Sequence, residues 1–284
     1  MNTIKKIGLT ALAGSLVSLG SVQAGEMSVS GGVNTTLKFG KGGENTSRSI
    51  GADKDVAFTG GGELDNGTTF SMTATTNDAY GISSSTTTIT TPSMGSFTFG
   101  SGTGGASGAY DEEVPQVYEQ VSDGNDTVSN KVGDFMDNNS VMYTTPTLEM
   151  MGASITAHLG YAPQAGDTTV SDGGQQTYSA AVGSGKEAGI TISYDALKVG
   201  VYGAERERTV PQTAAATGMY EHDEFNGSWY AKYSMGPVSI GYSEFFFDAG
   251  VTSAVTSTTA AKTQRGTNAG GIYTGDQMSI AFNV

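Results

Sequence analysis

From Met27 to Phe39 the side chains alternate with a period of two. The odd positions are Met27, Val29, Gly31, Val33, Thr35, Leu37 and Phe39, and the even ones are Ser28, Ser30, Gly32, Asn34, Thr36 and Lys38. Successive side chains of a strand point to opposite faces, so this segment has one oily face and one wet face. The pattern recurs at Phe70, Met72 and Ala74, at Ala153 to Tyr161, and at Ile190, Ile192 and Tyr194. It returns at Leu197 to Val201, Trp229 to Met235, Val238 to Tyr242 and Met278 to Val284. Helical i, i+3, i+4 spacing is scarce throughout.

That order along the chain overrides its composition. Leu, Ile, Val and Phe make up 51 of 284 residues, or 18%. With a formal net charge of −14 this would ordinarily indicate disorder. A disordered chain has no reason to keep one parity through so many segments. A chain whose strands are apolar on a single face, and which carries long polar loops, has both the alternation and the low apolar fraction.

The connections between segments sort by length. Asp65-Asn66-Gly67, Pro92 to Gly95, Asp195-Ala196, Gly236-Pro237 and Gly275-Asp276-Gln277 have the chemistry of tight hairpin turns. Pro146 to Gly152 is slightly longer. Between them lie long connections at 40–52, about 77–81, 101–138, 162–177, 206–225 and 248–266. Short and long alternate, as they must in a barrel with turns on one membrane rim and loops on the other. The expected fold is therefore all-β, an antiparallel transmembrane β-barrel. Thirteen strands are counted, although single-chain bacterial barrels have even numbers. Either about three strands are missing at the C-terminus or the count is wrong, and Met278 to Val284 is expected to run outward.

Residues 1–24 read as an export signal. Lys5 and Lys6 precede a mostly apolar stretch from Ile7 to Gly20, followed by Val22-Gln23-Ala24 as a cleavage site. That stretch is shorter than the roughly 20 residues of a spanning helix. The mature barrel is then 25–284, with net charge −16 once the two signal lysines are gone. Such acidity argues against nucleic-acid binding. The absence of Cys removes disulfides, thiolate metal sites and Cys nucleophiles. No cofactor, metal or catalytic motif is expected.

Four motifs resemble the general diffusion porins of Gram-negative outer membranes. Phe58-Thr59-Gly60-Gly61-Gly62-Glu63-Leu64-Asp65-Asn66-Gly67 is similar to that family's second strand and turn. Gly95-Ser96-Phe97-Thr98-Phe99-Gly100 resembles the strand entering its constriction loop, and Asn139-Ser140-Val141-Met142-Tyr143-Thr144-Thr145-Pro146 the strand leaving it. Gly25 to Phe39 suits the first strand. The resemblance implies a homotrimer of porin-like barrels, 16 strands each in the intact family. It implies passive passage of small hydrophilic solutes, with the bilayer and lipopolysaccharide of the outer membrane as surroundings. It also implies that 101–138 folds into the lumen as the constriction loop.

This loop holds Asp111, Glu112, Glu113, Glu119, Asp123, Asp126, Asp134 and Asp137 against one base, Lys131. Asp111, Glu112, Glu113 and Glu119 are the candidate constriction acids, with Glu112 and Glu113 first because they sit early in the loop. By parity Lys38, Lys198 and Lys232 are the candidate basic wall, while Arg206 and Arg208 lie where a loop begins. The family's facing Arg cluster has no counterpart here: residues 52–100 contain Lys54 and no Arg. Acids in excess predict weak cation preference.

Other motifs have plainer readings. Gly100 to Gly105 satisfies GxGxxG but is followed by at most a short helix around Pro115, not a βαβ unit. Glu221-His222-Asp223-Glu224 suits a solvated loop better than a metal site. His158 has lumen parity and reads as a pore-lining residue. Tyr143, Tyr161, Tyr194, Trp229, Tyr233 and Tyr242 suit an interfacial aromatic girdle. The chief competing function is a surface-exposed binding protein or adhesin displayed on a plugged barrel.

Overall fold

The computed structural model describes residues 27–39, 48–76, 81–101, 105–111, 113–115, 136, 138–165, 182–208, 223–248, 267–268 and 272–282. They form fourteen strands and one 3-10 helix at Gly105–Ala109. The strands are β1 Met27–Phe39, β2 Arg48–Glu63, β3 Thr69–Thr76, β4 Ile82–Thr91, β5 Gly95–Ser101, β6 Asn138–Thr144 and β7 Leu148–Met150. They continue with β8 Ala153–Ala162, β9 Val182–Tyr194, β10 Leu197–Arg208, β11 Glu224–Met235, β12 Val238–Asp248, β13 Thr267–Asn268 and β14 Ile272–Phe282. Two are stubs: β7 pairs only with the start of β8, and β13 only with the start of β14.

All pairing is antiparallel and follows chain order from β1 to β12, which then pairs with β14. The sheet is not closed among the described residues. Each tight connection is a hairpin, and Gly95 (φ 81°) and Gly236 (φ 56°) take the left-handed backbone that two of these turns need. Among the described residues no helix is long and apolar enough to cross a membrane.

One expectation is corrected at the C-terminal end. Gly275-Asp276-Gln277 is not a turn; all three lie inside β14, paired with β12 through Phe245, Glu244 and Ser243. The two short strands expected there are one, and it runs the other way. Phe282 pairs with Val238, beside the Gly236-Pro237 turn, so Met278 to Phe282 heads toward the short-turn rim. Continuous pairing with β12 supplies ladder hydrogen bonds along this stretch, which outweigh its turn propensity. β10 likewise continues through Arg206 to Arg208, where a loop was expected.

The two faces of the sheet differ as the alternation requires. Val29 is 60% exposed, Tyr233 44% and Ile190 40%, so among the described residues nothing covers these positions of the oily face. The side chain of Leu37 lies outside the described residues. The buried apolar cluster is on the opposite face and includes Ala106, Tyr110 and Met136 of the long connection with Tyr202, Tyr230 and Phe247 of the wall. A soluble sandwich buries its oily faces against each other. Here the core is the contact between one loop and the wet side of the sheet.

Candidate constriction site

The connection between β5 and β6 starts on the inward side of β8 and β9 and advances across the wall toward β14. The 3-10 helix lies at 105–109, earlier than the short helix expected around Pro115. Its second amide, Ala106 N–H, donates to Glu187 Oε1 of β9 at 2.6 Å. Glu187 Oε2 accepts from the Tyr202 hydroxyl at 2.8 Å. The next wall contact is Tyr110. Its ring stacks on Tyr202 (5.2 Å between centroids) and meets His158 edge-on, with hydroxyl and Nδ1 2.8 Å apart. Burial pushes the Tyr110 phenol up to about 12, so it stays neutral at ordinary pH.

Three residues on, Glu113 reaches two lysines from adjacent strands. Lys198 Nζ donates to Glu113 Oε2 at 2.8 Å and Lys232 Nζ to the same oxygen at 3.2 Å. Lys198 and Lys232 are direct register partners in β10 and β11, which sets both ammonium groups on one inward row. Lys198 also lies over the Tyr230 ring, 5.5 Å from its centroid. Beyond, the Pro115 carbonyl accepts from Ser279 Oγ of β14 at 2.6 Å. The pyrrolidine ring of Pro115 occupies the space a side chain at Gly241 of β12 would take.

Thus Glu113, Lys198 and Lys232, separated in the sequence, converge in space. The lysines grip the loop directly. One carboxylate between two ammonium groups leaves this trio with one net positive charge. Asp111 is half-buried at the end of the 3-10 helix, with its amide donating to the Ser107 carbonyl at 2.9 Å. Glu112, Glu119 and the remaining loop acids lie outside the described residues. So does the side chain of Lys38, although its backbone pairs with Ser49.

The other sequence motifs separate as follows. Arg206 points inward and is held by Glu224 at 2.7 Å, with Glu224 buried. That commits the one acid of the Glu221–Glu224 run whose side chain is deeply buried; Glu221 and His222 lie outside the described residues. Among the described residues no group of three metal-ligating side chains occurs. The girdle candidates Tyr161, Tyr194, Trp229 and Tyr233 are exposed on the oily face. Trp229 Nε1–H and the Tyr242 hydroxyl both donate to Glu244 on that face, at 2.9 and 2.7 Å.

Sequence reasoning missed Tyr110, Glu187, Tyr202, Tyr230 and Ser279. A usable signal was present in the wall glycines. Gly189 and Gly241 have inward parity, and glycine within a strand often marks close approach by another part of the chain. A Cβ on Gly189 would overlap the Tyr110 ring.

The Gram-negative porin family model matches residues 8–284. The fold is similar to Salmonella typhi OmpF in complex with daunomycin, with a TM-score of 0.57 and 12% identity over 79% of this chain. The match spans 66% of that chain. It is also similar to a porin refined at 1.8 Å resolution, with a TM-score of 0.55, 13% identity, and coverage of 90% and 77% of the two chains. At these identities the likeness is one of fold. A comparison with curated protein sequences gives no match.

Proposed function

The chain belongs to the Gram-negative porin family, and from that premise we propose that it forms a water-filled channel across the outer membrane for small hydrophilic solutes and ions. The observation that carries this reading is a loop seated on the wet face of a sheet whose other face is oily and uncovered. Such a sheet suits lipid outside and water inside, because antiparallel pairing satisfies the backbone of each strand that has a neighbour on both sides. The seated loop narrows the water path without bond chemistry.

Charge preference follows from the loop as a whole. The Glu113 trio is net positive and favours anions locally. The loop as a whole holds eight acids against one lysine, so a weak preference for cations is proposed for the complete channel. Assembly as a homotrimer within lipopolysaccharide and phospholipid, and export by a signal ending at Ala24, are proposed from the family resemblance and the N-terminal pattern.

Purified full chain in a planar bilayer tests the reading. Stable ohmic steps with a small cation-selective reversal potential are expected under a potassium chloride gradient. Absence of steps would point to a plugged barrel displaying its loops, and a net anion preference would overturn the charge assignment.

A further inference from the structure

Glu187 is only 4% exposed, yet neither lysine of the trio reaches it. A carboxylate removed from water costs several kcal/mol unless hydrogen bonds replace its hydration. Here the replacements come from two places. The Tyr202 hydroxyl of the neighbouring strand donates to one carboxylate oxygen, and the loop backbone donates to the other through Ala106 N–H, with the Ser107 amide joining it. The carboxylate reaches the loop by crossing β8 over Gly160, its register partner, where any side chain would overlap it. Gly105, at φ +66°, leaves the same space open from the loop side.

The returning limb of the loop meets at the same point. Met136 is fully buried and lies 2.7 Å from where a Cβ on Gly105 would stand. Its Sδ lies 2.9 Å from the corresponding point on Gly185 of β9. Both limbs are therefore gathered within two residues of Glu187. From that base the loop reaches its Tyr110 socket and then Glu113, seven residues beyond Ala106, without a long free stretch.

We propose that Glu187 is a positioning residue of the channel: through the Ala106 amide it sets the register that delivers Glu113 to Lys198 and Lys232. This rests on the channel reading, because its consequence is electrical. When the clamp is released, Glu113 leaves the lysines, two ammonium groups face the solution unpaired, and selectivity moves toward anions.

Single-channel recording of the full chain tests this with Glu187→Ala, Glu187→Gln, Ala106→Pro and the double variant Glu187→Ala with Ala106→Pro. Ala106→Pro removes the donor and puts a ring carbon in its place, and it lies in the loop, so it spares the barrel wall. Both Glu187→Ala and Ala106→Pro should shift the reversal potential toward anions and raise open-state current noise. Glu187→Gln, which keeps an acceptor oxygen, should recover most of the wild-type selectivity. The double variant should go no further than either single one, because both remove the same bond. Wild-type selectivity in Ala106→Pro, or additive shifts in the double variant, would overturn the proposal. If Glu187→Ala does not fold, Ala106→Pro alone decides. Absence of ohmic steps from the wild-type protein would instead strike the channel reading itself.

Discussion

Lys198 holds Glu113 at 2.8 Å across 85 positions of sequence, and the contact ties the in-folded loop to β10. Two charged partners on different elements set a local field whose sign depends on both. Lys232 shares the same oxygen, so the carboxylate is the minority charge in its own site.

Glu113→Gln should therefore move selectivity toward anions, in the same direction as loss of any other loop acid. Both lysines would lose their counter-charge while keeping a hydrogen-bond acceptor. Because the pair is part-exposed, folding stability should change by no more than about 1 kcal/mol. Reversal potentials in dilute potassium chloride should show the shift, and it should shrink near 1 M salt, where the screening length falls to about 3 Å. An unchanged reversal potential at low salt would separate Glu113 from the ion path.

The lysines should behave unequally as singles and as a pair. Lys198→Met leaves Lys232 at 3.2 Å from the carboxylate, and Lys232→Met leaves Lys198 at 2.8 Å. Each single variant should shift selectivity modestly toward cations. The double variant should shift it by more than the two singles added, since only then does Glu113 stand alone. Simple additivity in the measured permeability ratios would show that the lysines act independently of the shared acid.

The oily face of the sheet was legible because a strand apolar on one face carries one residue class at every second position, and Val29, Ile190 and Tyr233 obey it. Lys198 and Lys232 were legible as wall residues for the same reason: parity alone assigns a face. Parity fails where a turn and a strand share composition. Gly275-Asp276-Gln277 has hairpin chemistry, and only its pairing with β12 shows a strand. Parity also says nothing about what lies over the wet face. Glu187 and Ala106 are 81 positions apart, and no local pattern signals their bond. The wall glycines were the available sign of the loop's footprint, and glycine has too many other uses to be decisive.

Gly189→Ala should unseat Tyr110. The new methyl would occupy ring space, and overpacking of a tight contact costs about 1–3 kcal/mol. Heat-dependent gel mobility should fall in midpoint, and open-state noise should rise as the loop loses its socket. Gly60→Ala is the control, since nothing lies within 4 Å of a Cβ there. Equal behaviour of the two variants would show that Tyr110 does not hold the loop.

Tyr110 also predicts an alkaline transition. Burial raises its phenol from 10.0 to about 12, so the docked loop favours the protonated ring. The sign follows from linkage: a group with a raised folded value contributes its full stabilisation below the unfolded value. That contribution is then lost as pH climbs through the folded one. Loop docking should be complete below about pH 10 and weaken toward pH 12, with open-state noise rising over that interval. Tyr110→Phe isolates this cause, because it keeps the ring in its socket and removes the proton. The variant should lack the rise in noise. A rise of equal size in Tyr110→Phe would remove Tyr110 from the transition.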